Sequence, residues 1–103
     1  MTELGQLNSK VFSEHLHTKF HVKSNDGVPT LLELIEVEER SDSPKTELFF
    51  LRFRGPASPR LPQQIYQFEH EVLGTMGMFM TAIGVSELGA DYEVVFHRMR
   101  PVV

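Results

Sequence analysis

The sequence has no cysteine and no tryptophan among its 103 residues. Without cysteine the chain can form neither a disulfide bond nor a thiolate metal site, and it has no cysteine nucleophile. Its purely apolar runs are only a few residues long, whereas a membrane-spanning helix needs roughly 20. The first residues carry neither the basic nor the apolar region of a signal peptide. These absences favour a soluble, cytoplasmic protein with no membrane partner, held together by its hydrophobic core.

Basic residues are also scarce. Ten Lys and Arg stand against fourteen Asp and Glu, which gives a formal net charge of −4. Nucleic-acid-binding proteins draw much of their affinity from a basic surface, so this balance argues against a nucleic-acid partner. Hydrophobic residues make up 41% of the chain, an ordinary value for a globular protein. The chain is long enough for one core, and we assign residues 1–103 to a single small domain.

Alternation of polar and apolar residues predicts about six short strands. In the second strand, Leu32 and Leu34 occupy one face, while Ile35 and Val37 occupy the other. A regular strand cannot bury both sets on one side, so we expect a β-bulge near Leu34 and Ile35, with a helix as the alternative for this segment. Residues 84–91 are expected to form a loop. The predicted strands span residues 19–23, 31–39, 47–54, 65–72, 76–83 and 92–99.

A short helix is predicted before the first strand, at roughly residues 9–16. Asn8 or Ser9 can cap it, and Phe12 would cover one end of the domain. The Asp-Gly pair at positions 26–27 predicts a hairpin turn after the first strand. No long helix separates the strands, so parallel strand–helix–strand units are not expected. The predicted fold class is all-β: an antiparallel meander of about six strands forming a small barrel or sandwich, with one short N-terminal helix.

Several strand and turn segments follow one another along the chain at residues 20–22, 51–56, 61–63, 66–70, 73–74, 79–84 and 92–96. Together they resemble a family of small bacterial β domains that is known only as a domain of unknown function. The resemblance covers nearly the whole chain and implies a small β fold, a bacterial source and no assigned catalytic residue. It also points to the neighbourhood of phage-tail-like structural proteins. The family often has glycine where this chain has His17, so we expect the turn before the first strand to differ.

The sequence contains no motif that indicates catalysis. It lacks a G-x-S-x-G nucleophile elbow, an H-E-x-x-H zinc motif, a Walker A loop and a G-x-G-x-x-G loop. His15, His17 and His21 are close in sequence, but the predicted change from helix to strand between them breaks the spacing that a shared metal needs. His70 lies between two glutamates on a strand, so its imidazole points away from both carboxylates. We therefore expect no enzyme activity, no metal site and no cofactor.

Arg52, Arg54 and Arg60 are candidates for binding an anion. They lie in or beside the proline-rich connection after the third strand, and arginine binds carboxylate or phosphate groups through two parallel hydrogen bonds. The alternative is that these arginines pair with carboxylates of the chain itself, which needs no partner and is favoured for that reason. The carboxylates in question form the acidic run Glu33, Glu36, Glu38 and Glu39.

Met76, Met78 and Met80 alternate along one face of the fifth predicted strand, while Phe79 and Ile83 supply an inward face opposite them. Both faces of this strand are therefore apolar, and one must be covered by another part of the chain or by another molecule. We take the three methionines as candidate interface residues and expect a protein partner or a homo-oligomer. The alternative is that the methionines fill the core.

The predicted function is a non-enzymatic interaction or assembly module, with a component of a phage-tail-like structure as one form of it. Edge strands and surplus apolar faces are natural docking surfaces, and no catalytic motif competes with this interpretation. The alternative is a small-ligand-binding β-barrel whose aromatic side chains line a cavity. Its candidate residues are Phe49, Phe53, Tyr66, Phe68, Phe79, Tyr92 and Phe96.

Overall fold

A computed structural model describes residues 7–24, 29–41, 43–58 and 60–99. The Asp-Gly turn predicted after the first strand lies outside them. Within the described part of the chain, no helix has the length and the apolar character needed to cross a lipid bilayer. In chain order its elements are α1 (Ser9–Ser13), β1 (Lys19–Lys23), β2 (Pro29–Glu39), β3 (Thr46–Gly55), β4 (Gln64–His70), β5 (Gly74–Ser86) and β6 (Gly89–Met99).

All neighbouring strands pair antiparallel, and the sheet closes into a barrel. β1, β2 and β3 form one up-and-down half, and β4, β5 and β6 form the other. β3 pairs with β6 and β1 pairs with β4, so the order around the barrel is β1-β2-β3-β6-β5-β4. The predicted all-β fold class with a short N-terminal helix is therefore confirmed. The meander consists of two three-stranded halves.

Alternate side chains of the six strands fill the barrel interior. Successive residues of a strand point to opposite faces, so each strand turns one set of side chains inward. β3 shows this clearly, because Phe49, Leu51 and Phe53 are buried while their neighbours are partly exposed. The ring of Phe53 lies 5.2 Å from those of Phe20 and Phe68, measured between centroids. Burial of this apolar surface is the main source of the stability of the fold.

The helix α1 covers one end of the barrel. Asn8 caps it, because the Asn8 side-chain oxygen accepts a hydrogen bond from the amide of Val11 at 2.9 Å. Phe12 is fully buried, and its ring lies 6.2 Å from that of Phe49 and 5.8 Å from that of Phe96. The helix ends earlier than predicted, and a turn connects it to β1. The covering role predicted for Phe12 is thus what the structure shows.

The turn between α1 and β1 contains His17, whose φ of 65° is positive. L-residues adopt this left-handed conformation at a cost that glycine does not bear. The His17 amide donates to the carbonyl of Leu34 at 2.7 Å, and its Nδ1 lies 3.0 Å from a carboxylate oxygen of Glu33. The backbone at His17 thus has a conformation that glycine adopts more readily, and the expected difference from the family's turn stays a prediction.

Two predicted features of the strands have different outcomes. The register between β2 and β3 shifts between Leu34 and Glu36, which confirms the predicted bulge. The loop predicted at residues 84–91 is instead the end of a long hairpin, since β5 continues to Ser86 and β6 begins at Gly89. A Cβ on Gly89 would lie 2.3 Å from the carbonyl oxygen of Gly55 at the end of β3, so the hairpin needs glycine at position 89.

Candidate functional site

β5 and β6 pair along only part of their length. Their ladder runs from the hairpin as far as Thr81 and Glu93 and stops there. Beyond this point, residues 74–80 of β5 pair with β4 alone, and residues 94–99 of β6 pair with β3 alone. Within the described residues, one edge of each strand segment is therefore left without a neighbouring strand. We call the opening between them the β5–β6 groove.

The β5–β6 groove is an open depression of about 350 Å³ with mostly apolar walls. Met78, Val94 and Phe96 point toward the barrel interior, are at least nine-tenths buried, and form its floor. Phe79 and Val95 point outward on either side and form its rim, and each is 50% exposed. The groove therefore combines two unpaired strand edges with apolar side chains from both strands.

Gly77 contributes no side chain to the rim. A Cβ built on this residue would meet no other atom within 4 Å. Glycine inside a strand weakens the strand and often marks a place where a ligand or another backbone approaches closely. Because Gly77 is two residues from Phe79 on the same face of β5, it leaves free space beside that ring.

The rim belongs to a wider apolar surface on the outside of the second barrel half. Ile65 on β4 is directly opposite Phe79 on β5, and the two side chains are 69% and 50% exposed. Val95 lies across the groove from Phe79. We call Ile65, Phe79 and Val95 the outer apolar patch. Contiguous exposed apolar groups on soluble proteins often mark interaction sites.

Contacts inside the barrel fix the β6 side of the groove. The Phe96 ring stacks on that of Phe49 with centroids 4.6 Å apart, and the guanidinium of Arg98 lies 5.1 Å from the centroid of Phe96. Arg98 also donates to a carboxylate oxygen of Glu47 at 2.8 Å and to the carbonyl of Leu7. These contacts join β6 to β3 and to the segment before α1. The groove consequently has a firm wall along β6.

The three methionines predicted as interface residues lie inside the barrel. Met76 and Met80 are fully buried, and Met78 is 3% exposed. In this part of β5 the even-numbered residues point inward and the odd-numbered residues point outward. This corrects the placement of the predicted interface and of Phe79, which was expected to face the core. The outward face of β5 beside the groove is formed by Gly77 and Phe79, and Met78 reaches only the groove floor.

Arg52, the first of the predicted anion-binding residues, lies among carboxylates of the sheet. Its Nη1 is 2.7 Å from an oxygen of Glu36 and 2.9 Å from an oxygen of Glu38. Its Nε donates to Glu93 on β6 at 3.1 Å. The Glu36 carboxylate raises the pKa of Arg52, and hydrogen bonds from Arg40 and Arg52 lower the pKa of Glu38. Arg52 is thus paired within the chain, which is the alternative weighed from the sequence.

Arg54 and Arg60, the other two predicted residues, have different surroundings. Arg54 forms a two-point ion pair with Asp91 on β6, with distances of 2.7 and 3.2 Å between nitrogen and oxygen. The hydrogen-bonded carboxylate raises the pKa of Arg54. Arg60 lies apart, exposed in the connection between β3 and β4. The structure therefore brings Arg52 and Arg54 together on β3, but carboxylates occupy the positions that an anion would take.

The histidines that are close in sequence are separated in space. The ring of His15 faces that of His70 with centroids 4.9 Å apart. His17 instead contacts Glu33 on β2, and His21 lies on the exposed face of β1. Among the described residues, no group of three or more His, Asp and Glu side chains is placed to hold a metal ion.

His70, the most buried of the described histidines, uses both ring nitrogens inside the fold. Its Nδ1 accepts hydrogen bonds from the amides of Val72 and Leu73 at 3.0 and 3.1 Å, so this nitrogen carries no proton. Nε2 therefore donates to the Thr18 hydroxyl at 2.9 Å, and that hydroxyl donates to the carbonyl of His15 at 2.6 Å. Burial, and after it the electrostatic influence of nearby His15, lowers the pKa of His70 and favours its neutral form.

The aromatic residues predicted to line a ligand cavity mostly fill the barrel. Tyr66 donates to the carbonyl of Pro62 at 2.5 Å, and the hydroxyl of Tyr92 accepts from the amide of Leu61 at 3.0 Å, so both hydroxyls hold the connection between β3 and β4. Phe79 lies outside, on the groove rim. The other six belong to one continuous core cluster: Phe49, Phe53, Tyr66, Phe68, Tyr92 and Phe96.

Sequence reasoning missed the groove. Gly77 carried the available signal, because a glycine within an alternating strand pattern indicates a bulge or a close approach of another group. No local sequence pattern marks the point where β5 and β6 stop pairing. It depends on β6 continuing along β3 and β5 continuing along β4, and these pairings join segments that are distant in sequence.

A family model described as "Domain of unknown function (DUF6916)" matches residues 7–96. The matched span contains α1, strands β1 to β5 and most of β6, including Gly77, Phe79 and Val95 of the groove. No curated protein matches the chain, and no solved structure matches it.

Proposed function

Because the chain belongs to a family described as a domain of unknown function, we propose its function from the geometry of the barrel: a non-enzymatic interaction module that binds a partner protein at the β5–β6 groove and the outer apolar patch. The observation that supports this is the end of β5–β6 pairing at Thr81 and Glu93, which leaves two strand edges unpaired, as far as the structure describes the chain, beside exposed apolar side chains. Unpaired edges and apolar patches are features by which proteins dock other proteins.

The opening is not a consequence of short strands. β5 spans Gly74–Ser86 and β6 spans Gly89–Met99, so both are long enough to pair past the point where their ladder stops. β6 also pairs with β3 along the whole of Thr46–Gly55, which shows that its backbone remains extended. A barrel gains stability when each backbone amide and carbonyl has a partner. An edge that stays open in such a barrel is therefore available for a partner chain.

Other functions have less support. A small-ligand-binding barrel would need room inside, but six of its seven candidate aromatic residues fill the core. Catalysis by His70 would need a free ring nitrogen, and both nitrogens are engaged in hydrogen bonds within the fold. The phage-tail-like setting that the sequence resemblance suggests stays a prediction.

Selection of peptides from a displayed library of random twelve-residue sequences tests this proposal. We expect the wild-type protein to enrich a set of peptides. Phe79→Asp should lose them, because a charge placed on the groove rim must be desolvated when an apolar segment docks. The matched control is Leu88→Asp, which makes the same kind of change at an exposed position, 72% exposed, in the β5–β6 hairpin turn.

Circular dichroism and urea unfolding establish that both variants fold like the wild type. Enrichment on the wild type and on Leu88→Asp, with loss on Phe79→Asp, supports the proposal. Equal binding to all three proteins would place the interaction elsewhere and overturn it. Absence of enrichment on the wild type above the bare support would overturn it as well.

A further inference from the structure

We propose that the β5–β6 groove takes one extended segment of another protein as an added β-strand, which pairs with the free edge of β5 along residues 74–80 and packs over Gly77. This inference rests on the proposed function and specifies the kind of partner. It is carried by the open edge of β5, the empty space at Gly77 and the apolar side chains on either side of the groove.

The edge of β5 is suited to receive a strand. Its other edge is paired with β4 from Gly74 through Met80, so the segment is already held in an extended conformation. An incoming strand therefore meets preformed hydrogen-bonding groups and orders little of this protein. At a rise of about 3.3 Å per residue, the open edge accommodates an added strand of roughly six residues.

Gly77 determines how closely the added strand can pack. On a regular strand, a side chain at this position would stand beside Phe79 and occupy the space above the groove. Its absence leaves room for a large side chain of the partner, with nothing of this chain within 4 Å of the Cβ position. The partner segment should therefore carry an aromatic or long aliphatic residue that covers Gly77 and contacts Phe79.

The electrostatics of the groove favour a neutral segment. His97 and Arg98 line the groove, and the charge of Arg98 is already balanced by its ion pair with Glu47. The chain as a whole has a formal net charge of −4, so a second copy would meet general repulsion that a separate partner segment avoids. The partner segment should accordingly alternate apolar residues with uncharged polar ones.

The size of the surface also favours a segment over a second copy. The outer apolar patch consists of three side chains, each between half and about two-thirds exposed. A stable interface between two rigid globular proteins buries roughly 800 Å² on each partner. Three partly exposed side chains supply much less apolar area, whereas an extended segment gains main-chain hydrogen bonds as well as the burial of its own side chains.

Methylation of single backbone nitrogens tests strand addition directly, with the peptides enriched in the library selection as probes. In an antiparallel ladder only alternate residues direct their amides to the neighbouring strand. N-methylation should therefore weaken binding at alternate positions by roughly tenfold or more, as expected for a lost backbone hydrogen bond. Methylation at the intervening positions should change the dissociation constant little.

A glycine pair provides the matched variants on the protein. Gly77→Phe fills the space above the groove and should reduce affinity for the same peptides by at least roughly tenfold. Gly84→Phe adds the same side chain at another open position of β5, where again nothing lies within 4 Å of the Cβ, but Gly84 is in the paired part of the hairpin. Its affinity for the peptides should stay unchanged.

The outcomes separate this inference from the function on which it rests. Uniform tolerance of N-methylation, with binding still abolished by Phe79→Asp, would overturn strand addition and leave the interaction module standing. A concentration-independent dimer in light scattering that Gly77→Phe dissociates would show that a second copy occupies the groove, which also overturns the inference. Failure of the wild type to enrich any peptide would overturn both proposals.

Discussion

His70 and Thr18 join the two halves of the barrel where β4 meets β1. The Nε2 of His70 lies 2.9 Å from the Thr18 hydroxyl, which in turn donates to the carbonyl of the preceding turn. In the described residues, β1 and β4 are paired at only three positions, along His21–Lys23 on β1. The side-chain hydrogen bond thus extends a short ladder, while the bonds that Nδ1 of His70 accepts from the amides of Val72 and Leu73 require the ring to be neutral.

The first prediction concerns the pH dependence of stability. The pKa of His70 in the fold is below its ordinary value of 6.5, chiefly because of burial. The unfolded chain therefore binds a proton at His70 more readily than the folded one. The stabilisation from His70 should be complete above about pH 6.5 and should be lost as the pH falls through the folded pKa. Urea unfolding between pH 5 and pH 8 measures this loss.

His70→Asn is the control for this prediction. The Oδ1 of asparagine takes the place of Nδ1 and can still accept from the amides of Val72 and Leu73, but the side chain does not titrate. The variant should be less stable than the wild type at pH 8 and should lose less stability between pH 8 and pH 5. The carboxylates with lowered pKa values, Glu33, Glu38 and Glu69, change below their ordinary value of 4.5 and leave this range unaffected. Parallel curves of unfolding free energy against pH for the wild type and His70→Asn would contradict the assignment of this pH dependence to His70.

The second prediction compares two neighbours on β5. Met80 is fully buried and Phe79 is half exposed. Met80→Asp would bury an unpaired carboxylate, so we expect it to abolish folding, and Met80→Ala should cost about 2–5 kcal/mol. Phe79→Asp should change the free energy of unfolding by only about 0.5 kcal/mol, because the side chain meets solvent. Urea unfolding followed by circular dichroism distinguishes the two positions, and similar losses at both would contradict the inward direction of the methionines.

The same pair of residues shows what the sequence could and could not predict. The alternation of β5 predicted a strand with two apolar faces, and the structure has this strand. Alternation alone does not say which face is inside, because both phases are apolar. That choice is made by the rest of the core, where the methionines pack with rings contributed by β1, β3 and β6. Which face of β5 is exposed was therefore beyond the reach of a local pattern.

Breaks in the alternation of polar and apolar residues predicted structural detail better than the regular stretches did. The bulge in β2 was predictable because Leu34 and Ile35 break the alternation, and a strand can resolve that break only by inserting a residue. The hairpin at the end of β5 was missed because glycines within residues 84–91 indicated a loop. Both glycines, Gly84 and Gly89, instead belong to strands. The closure of the barrel through β3 with β6 and through β1 with β4 has no signal in any single segment.

The third prediction concerns the ion pairs around Arg52. Arg52→Met keeps much of the side-chain length but leaves Glu36, Glu38 and Glu93 close together without their shared cation. Partly exposed ion pairs contribute modestly, so we expect a loss of about 1 kcal/mol at pH 7 and low salt. The loss should shrink in high salt, because salt screens the repulsion among the carboxylates.

Arg60→Met is the control, because Arg60 is an exposed arginine in a connection. Its free energy of unfolding should stay within about 0.5 kcal/mol of the wild type. Lower pH gives a second check. The pKa of Glu38 is held below its ordinary value of 4.5 by Arg40 and Arg52, so its contribution is present above that pH and is lost as the pH falls. Equal effects of the two arginine variants would show that Arg52 has no particular role.

The fourth prediction tests the left-handed turn at His17. Both His17→Gly and His17→Ala remove the contact with Glu33, which keeps its ion pair with Lys19 at 3.0 Å. The two variants therefore differ mainly in the backbone. Glycine relieves the cost of a positive φ, about 1–2 kcal/mol, and loses part of that gain through the greater freedom of its unfolded chain. We expect His17→Gly to be more stable than His17→Ala by about 0.5–1 kcal/mol in urea unfolding.

Lys10 supplies the opposite case, because it is exposed within α1. In a helix alanine is favoured over glycine by about 1 kcal/mol, so Lys10→Ala should be more stable than Lys10→Gly. The order of the two variants should thus reverse between position 10 and position 17. If alanine is the better residue at both positions, His17 does not have the left-handed conformation. A reversal would show that the turn keeps a shape suited to glycine and that the histidine is retained there at a cost in stability.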